Sequence, residues 1–167
     1  METGLSLGSN LGDRLAHLRA ARQELLALPG IRLLAAAPLY ETDPVGVRPE
    51  FRHLAFLNTV LILEGDWSPA AWRRATAQIE DELGRVRSDD KFAPRTLDID
   101  LLYVGDHCVD EGGLILPHPR WQQRRFVLQP LADVRPDLVL PGNARTVAQI
   151  LAVLPPGEAV KQISTTW

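Results

Sequence analysis

The 167-residue chain has a single cysteine, Cys108, so neither an intrachain disulfide nor a cysteine-based zinc site is open to it. It has no basic excess: 18 Lys and Arg stand against 21 Asp and Glu, a formal net charge of −3, which gives no global attraction to nucleic acid or to an anionic membrane. Any anionic ligand must therefore be held by a local cluster of cations. No apolar run approaches the ~20 residues of a membrane span, and the opening Met-Glu-Thr-Gly lacks the basic and apolar segments of a secretory signal. The expectation is a soluble cytoplasmic protein. No Gly-x-x-x-x-Gly-Lys-Ser/Thr loop occurs, which excludes a P-loop, and His17, His53 and His107 have no partner arrangement that would make a nucleophilic triad. Repeats, low-complexity runs and linkers are absent as well, and the length suits one domain over residues 1–167.

What is present is the ordinary globular mix, 46% hydrophobic and 23% charged. Residues 4–8 read as a first strand. Gly8-Ser-Asn-Leu-Gly-Asp13 starts a helix whose apolar stripe runs through Leu15, Leu18, Leu25 and Leu26, stopped by Pro29-Gly30. Ile31 to Ala37 reads as a second strand, and Tyr40 to Glu50, with two prolines and a glycine, as a long loop. Phe56 to Leu63 is a strong strand, with Asn58 on the face of Phe56 and Val60. Ser68-Pro69 opens a second helix, with Trp72, Ala75, Ile79 and Leu83 in period and Gly84 at its end. A polar loop carrying Arg85, Arg87, Lys91 and Arg95 leads into the Asp98/Asp100 strand, within the stretch 94–104 that reads as buried. Beyond it come an extended Leu114 to Arg120, a short helix within Trp121 to Leu131, and a closing helix on Val147, Ile150, Leu151 and Leu154. The order strand, helix, strand, strand, helix, strand predicts an α+β fold: a ferredoxin-like antiparallel sheet with packed helices and a C-terminal extension.

The chemistry centres on Asp98 and Asp100. Residues i and i+2 of a strand share a face, so the two carboxylates point one way while Leu97, Ile99 and Leu101 point the other. Adjacent ionised carboxylates repel, and burial penalises each, unless positive charge sits between them. One or two divalent cations would supply it; a solvated edge-strand face is the alternative. The four cations just upstream favour the first reading, because carboxylates for Mg²⁺ beside arginines for phosphate oxygens are the parts of a phosphoryl-transfer site. His118, between Pro117 and Pro119, can be aimed at a ligand. Phe56, Phe92 and Phe126 can stack on a planar ring, and Asn58 can read the edge of a heterocycle. Gly8 to Gly12 resembles a phosphate cradle only loosely. Two other classes remain open: a nucleic-acid module on the same fold, which needs sheet aromatics and a basic surface, and a metal-dependent phosphoesterase using the same carboxylates.

Taken together, Gly8-Ser-Asn-Leu, Tyr40 to Gly46, Phe56-Leu-Asn58, Ile79-Glu80 with Gly84-Arg-Val-Arg87, Pro94-Arg-Thr-Leu-Asp-Ile-Asp100, Pro117-His118 and Arg124-Arg-Phe126 have the order and spacing of a known family. The chain resembles the 6-hydroxymethyl-7,8-dihydropterin pyrophosphokinases of folate biosynthesis. That resemblance implies transfer of pyrophosphate from ATP to the pterin hydroxymethyl group, with release of AMP and use of two Mg²⁺ ions. By similarity, Asp98 and Asp100 bind the ions, and with Arg85 and Arg95 they form the catalytic set. Glu80, Arg85, Arg87, Arg95, His118 and Arg124 face the nucleotide; Thr42, Val45, Phe56, Asn58 and Phe126 form the pterin pocket. Loops 43–55 and 84–95 would be lids. The implied partners are the two small-molecule substrates, with no nucleic acid or membrane, and a monomer is expected. The family pattern is not matched at Phe56 and Phe92, where tyrosine and tryptophan are common, at Ala77, with Gln78 one residue after the usual glutamine, and at Gly113.

Overall fold

The computed structural model describes residues 1–44, 49–85, 94–157 and 159–167. Among these the chain runs β1 (Glu2–Ser9), α1 (Arg14–Ala27), β2 (Arg32–Ala36), β3 (Leu39–Thr42), β4 (Phe56–Glu64), α2 (Pro69–Glu82), β5 (Asp98–Val104), β6 (Val109–Glu111), β7 (Leu114–Leu116), α3 (Arg125–Val134), α4 (Val147–Val153) and β8 (Val160–Ser164). The main sheet is antiparallel throughout, in the order β5-β1-β4-β3-β8, with β2 paired to the far end of β4. This is the ferredoxin-like α+β arrangement with a C-terminal extension.

Strand β4 shows how the layers form. Its odd positions Leu57, Leu61 and Leu63 join Leu5, Leu7, Ile99 and Leu101 under Leu18, Leu25, Trp72 and Ile79 of α1 and α2. Its even positions Val60 and Ile62 join Leu102 under Val127, Leu128 and Leu131 of α3 and Val147 and Ile150 of α4. A strand covered on both sides reads as a continuous apolar run, as this one does. The second face is apolar over only part of its length. Toward the end where β1 finishes and β5 begins it carries Ser6, Gly8, Asn58, Asp98 and Asp100 in place of apolar side chains.

Helix ends follow local rules. Asp13 caps α1 by accepting from the Ala16 N–H at 3.0 Å, Ser68 caps α2 by accepting from that of Ala71 at 3.2 Å with Pro69 behind it, and Thr146 and Gln149 form a reciprocal capping box on α4. The helix expected within Trp121 to Leu131 starts at Arg125 and continues past Pro130 to Val134, because Val127, Leu128 and Leu131 bury one face of it.

Four expectations need correction. Tyr40 to Thr42 is a strand rather than loop: the unpaired edge of β4 at Phe56 to Asn58 recruits it, and the prolines act only afterwards. The sheet consequently takes two short strands where one was expected. Leu114 to Leu116 is the second half of a hairpin, turned by Gly112 and Gly113 at φ 57° and 77°, the type I′ geometry that a Gly-Gly pair permits. Helix α4 is not the last element, since β8 adds itself to the open edge of β3. Among the described residues no helix is long and apolar enough to cross a membrane.

Candidate active site

The strand period places Asp98 and Asp100 on the face away from α1 and α2, with Ile99 and Leu101 in the core beneath them. Each carboxylate faces arginines from a different element. Helix α2 ends in a Schellman motif: Gly84, at φ +81°, donates to the Asp81 carbonyl at 3.2 Å, and the Arg85 N–H reaches back to that of Glu80 at 3.0 Å. This turn sets the Arg85 side chain against Glu80. Its Nη1 donates both to Glu80 Oε1 and, at 2.6 Å, to Asp98 Oδ1. Burial works against the charge on Arg85, but Asp98 and Glu80 outweigh it and hold the guanidinium above its ordinary pKa. Glu80 is buried, and its Oε1 also accepts from the Ile99 N–H at 2.7 Å, so it ties α2, Arg85 and the backbone between the two aspartates.

Arg95 donates from Nη1 to Asp98 Oδ2 at 2.9 Å. Its root is gripped by Asn10, whose N–H donates to the Arg95 carbonyl at 3.2 Å and whose Oδ1 accepts from the Arg95 N–H at 2.8 Å. The Gly8-Ser-Asn turn thus positions the segment that precedes β5, a role that glycine spacing does not reveal. Asp100 accepts from Arg124 Nη1 at 3.0 Å and lies 3.9 Å from His118 Nε2. His118 Nδ1 accepts from the Arg120 N–H at 3.1 Å, which leaves the neutral ring's proton on Nε2, toward Asp100. Burial, with Arg124 and Arg120 nearby, pushes the His118 pKa below 6.5 despite Asp100. The Arg124 guanidinium also lies over the Phe126 ring, 5.5 Å from its centre.

Across the sheet from this cluster a second group forms. Tyr40, Asn58, Gly8 and Asp98 are register partners on four successive strands and share one face. Asn58 Nδ2 donates to Thr42 Oγ1 at 2.7 Å, and both residues are buried. Gly8 lies between Asn58 and Asp98, and a Cβ there would fall 2.8 Å from Asn58 Oδ1 and 3.7 Å from the Phe56 ring. The missing side chain gives the Asn58 amide room to lie over β1, with Asn58 and Asp98 ~10 Å apart at two strand spacings. The sequence marks Gly8 as part of a helix-starting turn, a loose phosphate cradle and the Gly8-Ser-Asn-Leu motif; its place between Asn58 and Asp98 comes from the register. Val45 and Arg87, together with Lys91 and Phe92, lie outside the described residues. Gln78 is not brought to the site: it bonds Glu82 at 2.8 Å on the exposed side of α2.

Among the described residues no group of three or more His, Cys, Asp or Glu side chains is placed to cage a metal. A pair of hard carboxylate oxygens on one face nevertheless fits Mg²⁺, which takes one or two carboxylates and completes its shell with water and substrate phosphates. Paired carboxylates, arginines that can turn to phosphate oxygens, and a buried amide on the same sheet face define an α+β protein built for phosphoryl-group chemistry on a small acceptor.

Residues 4–136 match the family model described as 7,8-dihydro-6-hydroxymethylpterin-pyrophosphokinase (HPPK). The chain is 42% identical over 151 residues to the 2-amino-4-hydroxy-6-hydroxymethyldihydropteridine pyrophosphokinase of Pseudomonas aeruginosa, covering 90% of each. It is 39% identical over 166 residues to the protein of the same name from Mycobacterium bovis, covering 92% of this chain and 84% of the other. Its fold resembles that of Plasmodium falciparum HPPK-DHPS with pteroate, at TM-score 0.70 and 14% identity over 90% of this chain and 42% of that longer one. The chain belongs to the HPPK family.

Proposed function

We propose that the Asp98/Asp100 cluster and the Asn58 group are the two halves of one active site, at which the chain performs the family's reaction. It transfers pyrophosphate from ATP to the hydroxymethyl group of 6-hydroxymethyl-7,8-dihydropterin, in folate biosynthesis. The hydroxymethyl oxygen bonds to the β-phosphorus, the bond from that phosphorus to the oxygen bridging to the α-phosphate breaks, AMP leaves with that oxygen, and the alcohol proton passes to solvent. Mg²⁺ held by Asp98 and Asp100, as two ions, would neutralise the triphosphate and acidify the attacking alcohol.

The chain's own residues do the positioning. Arg85, Arg95 and Arg124 occupy the carboxylates through bonds of the kind they can make equally well to phosphate oxygens, so an arriving triphosphate exchanges with the carboxylates for the arginines. Glu80 keeps hold of Arg85 and of the β5 backbone during that exchange, and His118 stands beside Asp100. Arg87 joins the phosphate contacts in this reading. Asn58 and Thr42 present amide and hydroxyl groups to the pterin edge, with Val45, Phe56 and Phe126 against its faces. Phosphoryl transfer needs mainly alignment and charge stabilisation, so no separate side-chain base is required. The chain acts as one domain over residues 1–167, as a cytoplasmic monomer.

The observation that carries this reading is the register row that sets Asn58 and Asp98 on one face, separated only by Gly8. The test is AMP release from Mg-ATP with and without the hydroxymethyl pterin. AMP forms only with the pterin present, and Asn58→Ala raises the pterin KM at least tenfold (roughly, for a buried polar reader) while ATP binding persists. AMP release independent of pterin would favour the phosphoesterase reading.

A further inference from the structure

Arg14 is the first residue of α1, and a cation at a helix N-terminus opposes the helix dipole, so the helix gives no reason for it. Its guanidinium spans the two strands that carry Thr42 and Asn58. Nη1 donates to the Ala55 carbonyl at 2.7 Å, and Nη2 donates to Glu41 Oε2 at 2.8 Å. Ala55 immediately precedes β4, and Glu41 is the penultimate residue of β3. The last rung of that strand pair is Thr42 against Phe56, the residue after each anchor. Glu41 alternates with Tyr40 and Thr42, so its side chain lies on the α1 side of the sheet, opposite Asn58 and Thr42. One side chain therefore holds both strand ends from behind, at the point where the chain leaves the sheet, without reaching the pocket face.

We propose that Arg14 is a positioning residue for the acceptor pocket: by tying Glu41 to Ala55 it sets the spacing of Thr42, Phe56 and Asn58, and so the affinity for the planar heterocyclic substrate. This rests on the reading of those three residues as the pterin pocket. A natural comparison exists at the other end of β4, where Arg32 and Glu64 form a cross-strand ion pair remote from the site. If Arg14 merely strengthened the sheet, removing either arginine would have the same consequence.

The experiment measures pterin KM, kcat, binding of a non-hydrolysable ATP analogue, and thermal midpoint for Arg14→Ala, Arg14→Lys, Arg32→Ala and Asn58→Ala in the full chain. Arg14→Ala raises pterin KM about tenfold, as a small misplacement of binding groups does, and leaves the affinity for the ATP analogue unchanged. Arg14→Lys falls between, since an ammonium group lacks the fork that reaches both anchors at once. Arg32→Ala lowers the midpoint without moving KM. A folded Arg14→Ala enzyme with wild-type pterin KM, or one whose KM shift is matched by Arg32→Ala, overturns the proposal. Should Arg14→Ala not fold, Glu41→Gln and Arg14→Lys carry the same measurement, and wild-type KM in both overturns it. An unchanged KM in Asn58→Ala overturns the pocket reading itself, which separates the two failures.

Discussion

Glu2 with Arg135 and Asp98 with Arg85 and Arg95 are the same chemistry at similar depth. Side chains in the first pair are 30% and 29% exposed; in the second set they are 26%, 19% and 20% exposed. What separates them is how the bonds are shared. Glu2 accepts from Arg135 Nε and Nη2 at 2.9 to 3.2 Å and from the Tyr103 hydroxyl at 2.6 Å, so one carboxylate has one dedicated arginine and a phenol. The effect is to fasten the start of β1 to the end of α3. In the other cluster Arg85 is divided between Glu80 and Asp98, Asp98 between Arg85 and Arg95, and a second carboxylate stands two residues along the same strand. A closed pair holds elements together; a shared network of cations can change partners when an anion arrives.

The largest expected effect tests that contrast directly. Asp98→Asn or Asp100→Asn should reduce AMP formation by about a thousandfold or more, whereas Glu2→Gln should leave turnover at the wild-type level; equal loss in both would dissolve the distinction. The aspartate variants should remain folded, with a modest loss of thermal midpoint, because Arg85 and Arg95 lose a charged partner in the first and Arg124 in the second. Arg85→Ala comes next, lowering kcat by roughly a hundredfold, with Arg85→Lys recovering part of it; an unchanged kcat would make Arg85 a structural clasp like Arg135. Arg135→Ala should cost about 1 kcal/mol after allowing for solvent screening, seen as a drop of roughly 2–4 °C in thermal midpoint, with normal kinetics.

The smallest effect is in pH. Burial raises the Glu2 pKa, but hydrogen bonds from Arg135 and Tyr103 and the Arg135 charge more than reverse this, leaving it below 4.5. A carboxyl depressed in the folded state contributes stability above its unfolded pKa and loses it as pH falls through the folded one. The stability difference between wild type and Glu2→Gln should therefore be constant down to about pH 4.5 and shrink below it; a difference that grows toward acid would refute the pairing.

The parts of the fold that were legible are those dictated by a local period or cap. Strand β4, the α2 start at Ser68-Pro69 and its stop at Gly84, and the common face of Asp98 and Asp100 follow from spacing alone. Strands β3 and β8 were missed because Tyr-Glu-Thr and Val-Lys-Gln-Ile-Ser are too short and polar to announce themselves; each forms because a neighbouring edge is open. The β6–β7 hairpin does carry a local signal, Gly112-Gly113, between two short runs. At the site, the arginines were visible as a charge run, but their partners were not. That Arg85 divides itself between Glu80 and Asp98, and that Asn10 grips Arg95 from 85 residues away, are long-range facts.

By itself, then, the sequence determined the alternation that sends two aspartates to one face and the motif order that marks the family, because each depends only on near neighbours along the chain or on residue identity. Only the tertiary structure decided that Gly8 stands between Asn58 and Asp98, that Glu80 is the buried hub of the cluster, and that Arg14 ties Glu41 to the Ala55 carbonyl. These depend on antiparallel register across β5, β1, β4 and β3, which no local pattern encodes.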